Sequence, residues 1–288
     1  MKQYLELLKD VLENGTDKSD RTGVGSRAVF GRQLRFDLSE GFPILTTRKV
    51  SLRIAFEETM FFLRGDTDSN KLAEKNINIW KGNTSREFLD KVGLNNLPEG
   101  NMGKGYGHLQ RNFNGEIDLN TGKGIGGIDQ IKILLDGIKA DPYGRRHIVT
   151  HWNPAQLHEA ALPPCHLMHM YSVVDGKLNS CFIMRSADIP FGLPYNTMGY
   201  ALLNHIFAKH LGLIPGELVY MGWDAHIYQN QFEMAQELLQ REPKPLPQLI
   251  INKDLNTLED IMSLEFSDLE LSGYDPHPDI KNKPGMVV

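Results

Sequence analysis

The chain has 288 residues, a net charge of −5, 41% hydrophobic residues and 23% charged residues. That length can bury a sizeable core, and that composition is ordinary for a globular protein. The negative balance offers no global positive field for DNA or an anionic membrane. No run approaches the roughly 18 apolar residues of a membrane span, and "MKQYLELLKDVLENG" lacks the apolar core of a signal peptide. The two cysteines, Cys165 and Cys181, match neither a metal-ligand spacing nor a CxxC pair. No metal is therefore expected, and a reducing cytoplasm is the expected location.

In chain order, Tyr4, Leu5, Leu8, Val11 and Leu12 fall on one helical face, and Asn14-Gly15 reads as its stop. "DRTGVGS" is a glycine-punctuated loop, and "AVFGRQLRFDL" alternates as a strand. Residues 51 to 66 predict a helix with Phe56, Met60 and Leu63 on its apolar face and an isolated carboxyl, Glu58, among apolar neighbours. Residues 81 to 127 read as loops with short elements. A helix over 128 to 142 and a strand at "RHIVTHW" come next. "HLMHMYSVVDGKLNSCFIMRS" predicts a hairpin turning at Asp175-Gly176. Residues 197 to 213 are apolar nearly all round, as in a buried central helix. A strand through "ELVYMGWDAHIY" and a helix over about 229 to 240 close the pattern. With no repeat, low-complexity tract or linker, residues 1–288 are expected to form one α+β domain, a sheet covered by helices.

The chemistry-bearing residues are few. In "LPPCH" two prolines stiffen the backbone before Cys165, and His166 follows directly. A thiol is a competent nucleophile as thiolate, a form favoured by nearby cations; a buried structural cysteine is the competing reading, and Cys181 keeps it. Arg21, Arg145, Arg146 and Arg185-Ser186 supply guanidinium groups and a hydroxyl suited to a phosphate, although adjacent arginines also form surface ion pairs. Asp188 and Asn196 could read the amide edge of a heterocycle, and an Asn amide complements the O4 and N3–H of uracil; Asn196 could equally cap a helix. His226 and Tyr228 lie at i, i+2 on one side of a strand, where they could hold a sugar hydroxyl or be ordinary half-buried residues.

In this order the segments resemble thymidylate synthases: "DRTGVGS", "GFPILTT", "FFLRGDT", "INIW", "GYGHLQR", "DPYGRRHIV", "LPPCH", "GKLNSCFIMRSAD", "GLPYN", "DAHIYQNQ", "EPKPLPQLII" and "YDPHP". The resemblance implies that family's fold, a mixed sheet covered by helices with a homodimer formed through the sheet. It implies that Cys165 adds to C6 of dUMP. Arg21, Arg185 and Ser186 would hold the phosphate, joined by Arg145 and Arg146 from a second subunit, with Ala187 beside them on the nucleotide stretch. Asn196 would recognise uracil, and His226 and Tyr228 the deoxyribose hydroxyl. Glu58, Tyr106 and His166 would form a proton-relay network. Asp188 and Trp80 would meet 5,10-methylenetetrahydrofolate, and Val287 would close over it.

Several positions depart from the family's pattern. "WKGN" follows Ile79 where acidic residues and a second tryptophan are usual after Trp80. Ser51 replaces a histidine, Met184 a glutamine and Ala187 a cysteine, and Trp223 precedes Asp224. The departures at Ser51 and after Trp80 fall on the folate side, which keeps open a dUMP 5-hydroxymethylase. Readings from other classes are a non-catalytic nucleotide- or RNA-binding relative and a cysteine hydrolase. The hydrolase lacks a visible orienting partner for the histidine and leaves the arginines unexplained.

Overall fold

In the computed structural model, which describes residues 1–20, 22–118, 121–281 and 283–285, the opening apolar stripe forms α1 (Lys2–Asn14) and buries Tyr4, Leu7, Leu8 and Val11. Gly15 ends the helix through close approach, not left-handed geometry. Its φ is −71°, its N–H donates to the Val11 carbonyl at 3.1 Å, and a Cβ there would lie 2.4 Å from that oxygen. Strands β1 (Thr16–Lys18) and β2 (Ser26–Asp37) follow.

Helix α2 (Leu52–Leu63) begins where Ser51 Oγ accepts the Ile54 N–H at 3.4 Å. This N-cap occupies Ser51 locally. Phe56, Met60 and Leu63 are fully buried, as their spacing predicts. A short helix α3 (Asn70–Ala73) precedes the region of weak pattern. That region holds α4 (Arg86–Lys91), α5 (Tyr106–Arg111) and a small hairpin, β3 (Glu116–Asp118) with β4 (Lys123–Ile125). Asp129 then caps α6 (Gln130–Ala140), its side chain accepting the Lys132 N–H.

The predicted hairpin is β6 (His166–Val174) and β7 (Lys177–Asp188), preceded by the short β5 (Ile148–Thr150). Asp175 (φ 50°) and Gly176 (φ 72°) are both left-handed, as a two-residue hairpin turn requires. The chain then crosses through α7 (Gly192–Leu211) to the long β8 (Ile214–Tyr228). Helix α7 starts five residues earlier than the apolar run suggests. Pro194 sits in its first turn, where a missing N–H costs no intrahelical bond. Asn196 is consequently a helical residue and not a cap. At the other end of the helix Gly212 is left-handed (φ 67°) and stops it. The helix expected from 229 begins as a 3-10 turn over Gln229–Gln231 and continues as α8 (Phe232–Leu239). Strands β9 (Gln248–Ile251) and β10 (Leu269–Ser272) pair around α9 (Leu258–Met262).

Six strands form the principal sheet in the order β1-β2-β8-β7-β6-β5, with β7 and β8 parallel and every other pair antiparallel. This is an α+β domain with a mixed sheet covered by helices. Helix α7 lies on the sheet, with Tyr200 stacked on Phe182 of β7 (4.3 Å between centroids, 15° between planes), and α2 packs on α7. That layering carries α2, α5 and α7 to the end of the sheet where β6 begins. On β8, Met221 and Trp223 share the opposite face, and Trp223 is 54% exposed, so the single chain leaves part of that face without a cover.

Candidate active site

Cys165 stands immediately before β6, and its backbone is held from several directions. Its N–H donates to the phenol oxygen of Tyr106 at 2.7 Å, and the His166 N–H reaches the same oxygen at 3.3 Å. Its carbonyl accepts the Arg185 N–H at 2.9 Å. The Arg185 guanidinium donates to the Pro164 carbonyl through Nε (2.8 Å) and to the Pro163 carbonyl through an Nη (2.9 Å), and lies 5.8 Å from the centre of the Trp152 ring. The two prolines thus aim the thiol only in concert with an arginine that braces both of their carbonyls and brings its positive charge close to Cys165. No disulfide involves either cysteine.

Glu58, on the α2 face turned toward α7, accepts the Trp80 indole N–H at 2.8 Å. Desolvation pushes its carboxyl up to about 7, and the indole bond offsets part of that rise. His166 moves the other way. Burial pulls its imidazole down to about 3, with neighbouring His151 adding to the effect. It is therefore a neutral hydrogen-bonding group near pH 7, with Nδ1 3.0 Å from the Tyr200 hydroxyl. This state suits arranging water within the proton-relay network that the resemblance implies, and does not suit carrying a proton as imidazolium. Burial also raises Tyr106 well above the usual phenol range.

Glu58, Tyr106, His166, Asn196 and Tyr200 all border one cavity of about 30 Å³, room for one or two waters. The Asn196 amide has no protein hydrogen-bond partner among the described residues and is open to a ligand. Asp188 ends β7 beside His226 of β8. Burial raises its carboxyl, opposed chiefly by Gln231, whose amide donates at 3.2 Å. His226 Nδ1 bonds Asp224 at 2.9 Å, and Asp224 also pairs with Lys18. The Tyr228 ring packs edge-on against His226 at 5.0 Å. Ser186 lies opposite Asp224, whereas the Ala187 methyl is buried in the core, leaving its backbone as the part that can meet a ligand.

Arg145 and Arg146 do not join this cluster within one chain. They are exposed before β5, and neighbouring His147 pairs its carbonyl with the Tyr171 N–H. Tyr171 is five residues along β6 from His166, or about 17 Å at the usual strand rise. Arg21 and Val287, assigned to phosphate and folate by resemblance, lie outside the described residues. Tyr200, Gln110 and His151 are among the polar neighbours of the site that the sequence analysis does not single out. Tyr200 is four residues from Asn196 on α7, and Gln110 is four from Tyr106 on α5, so helical spacing could have shown both. His151 follows a strand, and nothing in its surroundings marks it.

The family of known proteins described as thymidylate synthase matches residues 2–286, nearly the whole chain. The chain belongs to the thymidylate synthase family. That family is enzymatic, acts on dUMP and uses methylenetetrahydrofolate for methyl- or hydroxymethyl-level transfer. Among the described residues no group of three or more His, Cys, Asp or Glu side chains could hold a metal ion, and no helix is long and apolar enough to cross a membrane.

Tyr106 links family chemistry to local geometry, and its removal is informative. Tyr106→Phe leaves the Cys165 and His166 amides without their acceptor, which costs about 1–3 kcal/mol where they stay dry. Thermal or denaturant unfolding should show that loss. Turnover by the folded variant should fall on the order of 10-fold to 100-fold as the thiol loses its alignment.

Proposed function

We propose that this enzyme is a thymidylate synthase that methylates C5 of dUMP. The observation that carries the proposal is a carboxyl pushed up to about 7 and an open Asn amide on one small cavity, beside a braced cysteine whose N–H acceptor Tyr106 and next residue His166 both line that cavity. Cys165 adds to C6 and turns C5 into an enolate-like nucleophile, splitting a hard substitution into easier steps. Asn196 holds the uracil edge and selects uracil over cytosine by its donor and acceptor pair. Glu58 gives and takes protons at the base, and the neutral His166 with Tyr200 and Tyr106 orders water beside it. Arg185, Ser186 and Arg21 take the phosphate, and His226 with Tyr228 takes the deoxyribose hydroxyl.

The residues present suit the reduced folate. Trp80 offers an aromatic face near Glu58, and the desolvated Asp188 carboxylate can accept from the amino group of a pterin. When bound, methylenetetrahydrofolate supplies the one-carbon unit and, for methylation, the hydride. The protein's part is to exclude water at that stage, a role for the C-terminus including Val287. A homodimer through the sheet covers the β8 face that bears Met221 and Trp223. It also accounts for Arg145 and Arg146, which are remote from their own Cys165 and available to the other subunit's phosphate.

A second reading, dUMP 5-hydroxymethylation, is favoured by one feature. The segment after Trp80 is polar, and Asn83 is buried with no partner for its amide nitrogen, so water has a foothold in that segment. Product analysis separates the two readings. Methylation is expected to form dihydrofolate in step with dTMP, followed by absorbance and nucleotide chromatography. Tetrahydrofolate with 5-hydroxymethyl-dUMP would reject methylation.

A further inference from the structure

Beside Tyr106, on the same cavity, lies a buried polar pair to which the proposed reaction assigns no role. His151 is fully enclosed at the end of β5. Its Nδ1 is 3.3 Å from the His166 carbonyl oxygen, its Nε2 is 3.3 Å from the Gln110 amide nitrogen, and its ring stands edge-on to Tyr106 at 5.4 Å. These neighbours leave one consistent proton arrangement. A carbonyl only accepts, so Nδ1 carries the hydrogen; Nε2 then bears a lone pair and needs a donor, which the Gln110 amide provides. Exchanging the oxygen and nitrogen of Gln110 would set two acceptors against each other. Burial pulls the His151 imidazole down to about 4, opposed only by its bond to the His166 carbonyl. The ring is neutral near pH 7, and the relay runs from Gln110 N–H to His151, and from His151 N–H to His166 C=O.

The place it acts on is one that sheet pairing leaves loose. The β6–β7 register shifts between His166 and Met168, and such irregularities re-aim side chains while removing ladder bonds. Tyr106 takes the two amides of this stretch, Arg185 takes the Cys165 carbonyl, and His151 takes the His166 carbonyl. The His151 backbone N–H adds a bond to the Leu167 carbonyl at 2.8 Å. The stretch carrying the thiol is thus held at its amides and at its carbonyls, and His151, packed edge-on beside Tyr106, supplies the bond to the His166 carbonyl.

We propose that His151, its tautomer set by Gln110, is a positioning residue that fixes the His166–Leu167 peptide, directly after the thiol-bearing residue, and so helps aim the thiol at the pyrimidine. The proposal rests on Cys165 being the nucleophile. Three variants test it: His151→Leu, His151→Asn and Gln110→Leu. Each is measured for kcat, KM for dUMP, and the rate of covalent adduct formation with 5-fluoro-dUMP and methylenetetrahydrofolate. His151→Leu should lower kcat and the adduct rate on the order of 10²-fold, with KM for dUMP near wild type because the assigned phosphate, sugar and uracil contacts are made by other side chains. His151→Asn retains a short N–H donor and should recover most of the loss. Gln110→Leu should fall between them.

A purely structural role would lower the melting temperature while leaving kcat per folded molecule at the wild-type value in His151→Leu, and that result overturns the proposal. Equal loss in His151→Leu and His151→Asn also overturns it, since the donor would then be irrelevant. Should His151→Leu not fold, Gln110→Leu decides, and wild-type kcat there overturns it. Absence of adduct in the wild-type enzyme would instead remove Cys165 as nucleophile. A normal wild-type adduct with an unchanged rate in His151→Leu removes only the positioning role.

Discussion

Cys165→Ser is expected to lower turnover by about 10⁴-fold or more, the scale seen when a covalent nucleophile is removed. The alcohol is a far weaker nucleophile than a thiolate, and the neutral His166 is 3.0 Å from the Tyr200 hydroxyl through its Nδ1 and offers no strong base to activate it. Binding of dUMP should survive. The backbone bonds to Tyr106 and Arg185 belong to the peptide and not to the sulfur, and the assigned phosphate and sugar contacts are untouched. Calorimetry with dUMP alone should therefore give near-wild-type affinity. Mass spectrometry with 5-fluoro-dUMP and methylenetetrahydrofolate should show an adduct on the wild-type enzyme and none on Cys165→Ser. Turnover by Cys165→Ser close to wild type would take the thiol out of the reaction altogether.

The parts of this site that could be read from the sequence are those whose local context was already odd. A thiol after two prolines, a carboxyl amid apolar residues and an Asn before a fully apolar helix each violate a simple pattern, and such violations tend to mark function. Family resemblance then assigned them roles. The hairpin at Asp175-Gly176 was legible because only a few residues tolerate two successive left-handed conformations. What stayed hidden depends on tertiary contact. Arg185 looked like a phosphate ligand, and nothing local reveals that its guanidinium also grips the carbonyls of Pro163 and Pro164, over 20 residues away. The Trp80–Glu58 bond likewise spans 22 residues between separate elements. A helix cap stayed open as the competing reading of Asn196 because the apolar run begins at Thr197, while the true start at Gly192 was masked by Pro194. His166 could be named but not given a charge state, because burial by Tyr106, His151 and Tyr200 decides that.

Glu58→Gln is expected to make the protein less active and, above neutral pH, more stable. The sign follows from the proton balance. An unfolded Glu ionises near 4.5, whereas in the fold Glu58 ionises near 7 because desolvation penalises its anion. Between those values the folded state binds the extra proton, so stability is intact below about pH 4.5 and is lost as pH rises through 7. At pH 8 the deficit is roughly 3 kcal/mol, because each tenfold difference in proton affinity between the two states is worth about 1.4 kcal/mol. Glutamine keeps the acceptor for the Trp80 indole but never ionises, so that deficit disappears. Urea unfolding should show the variant ahead by about that amount at pH 8 and level with wild type near pH 4. His151, His166 and His169 are also pulled down by burial and destabilise the fold in acid, but they are present in both proteins and cancel in the difference. Catalysis moves the opposite way. A carboxyl near pKa 7 keeps both its forms populated at neutral pH, which suits a group that must deliver and remove protons in one cycle, and losing it should reduce kcat by about 10²–10⁴-fold. The wild-type pH profile of kcat should bend near 7 and the variant's should lack that bend. A stability difference independent of pH would show that Glu58 is not desolvated in the folded enzyme, and with it would go the reason for assigning this carboxyl the proton transfers at C5.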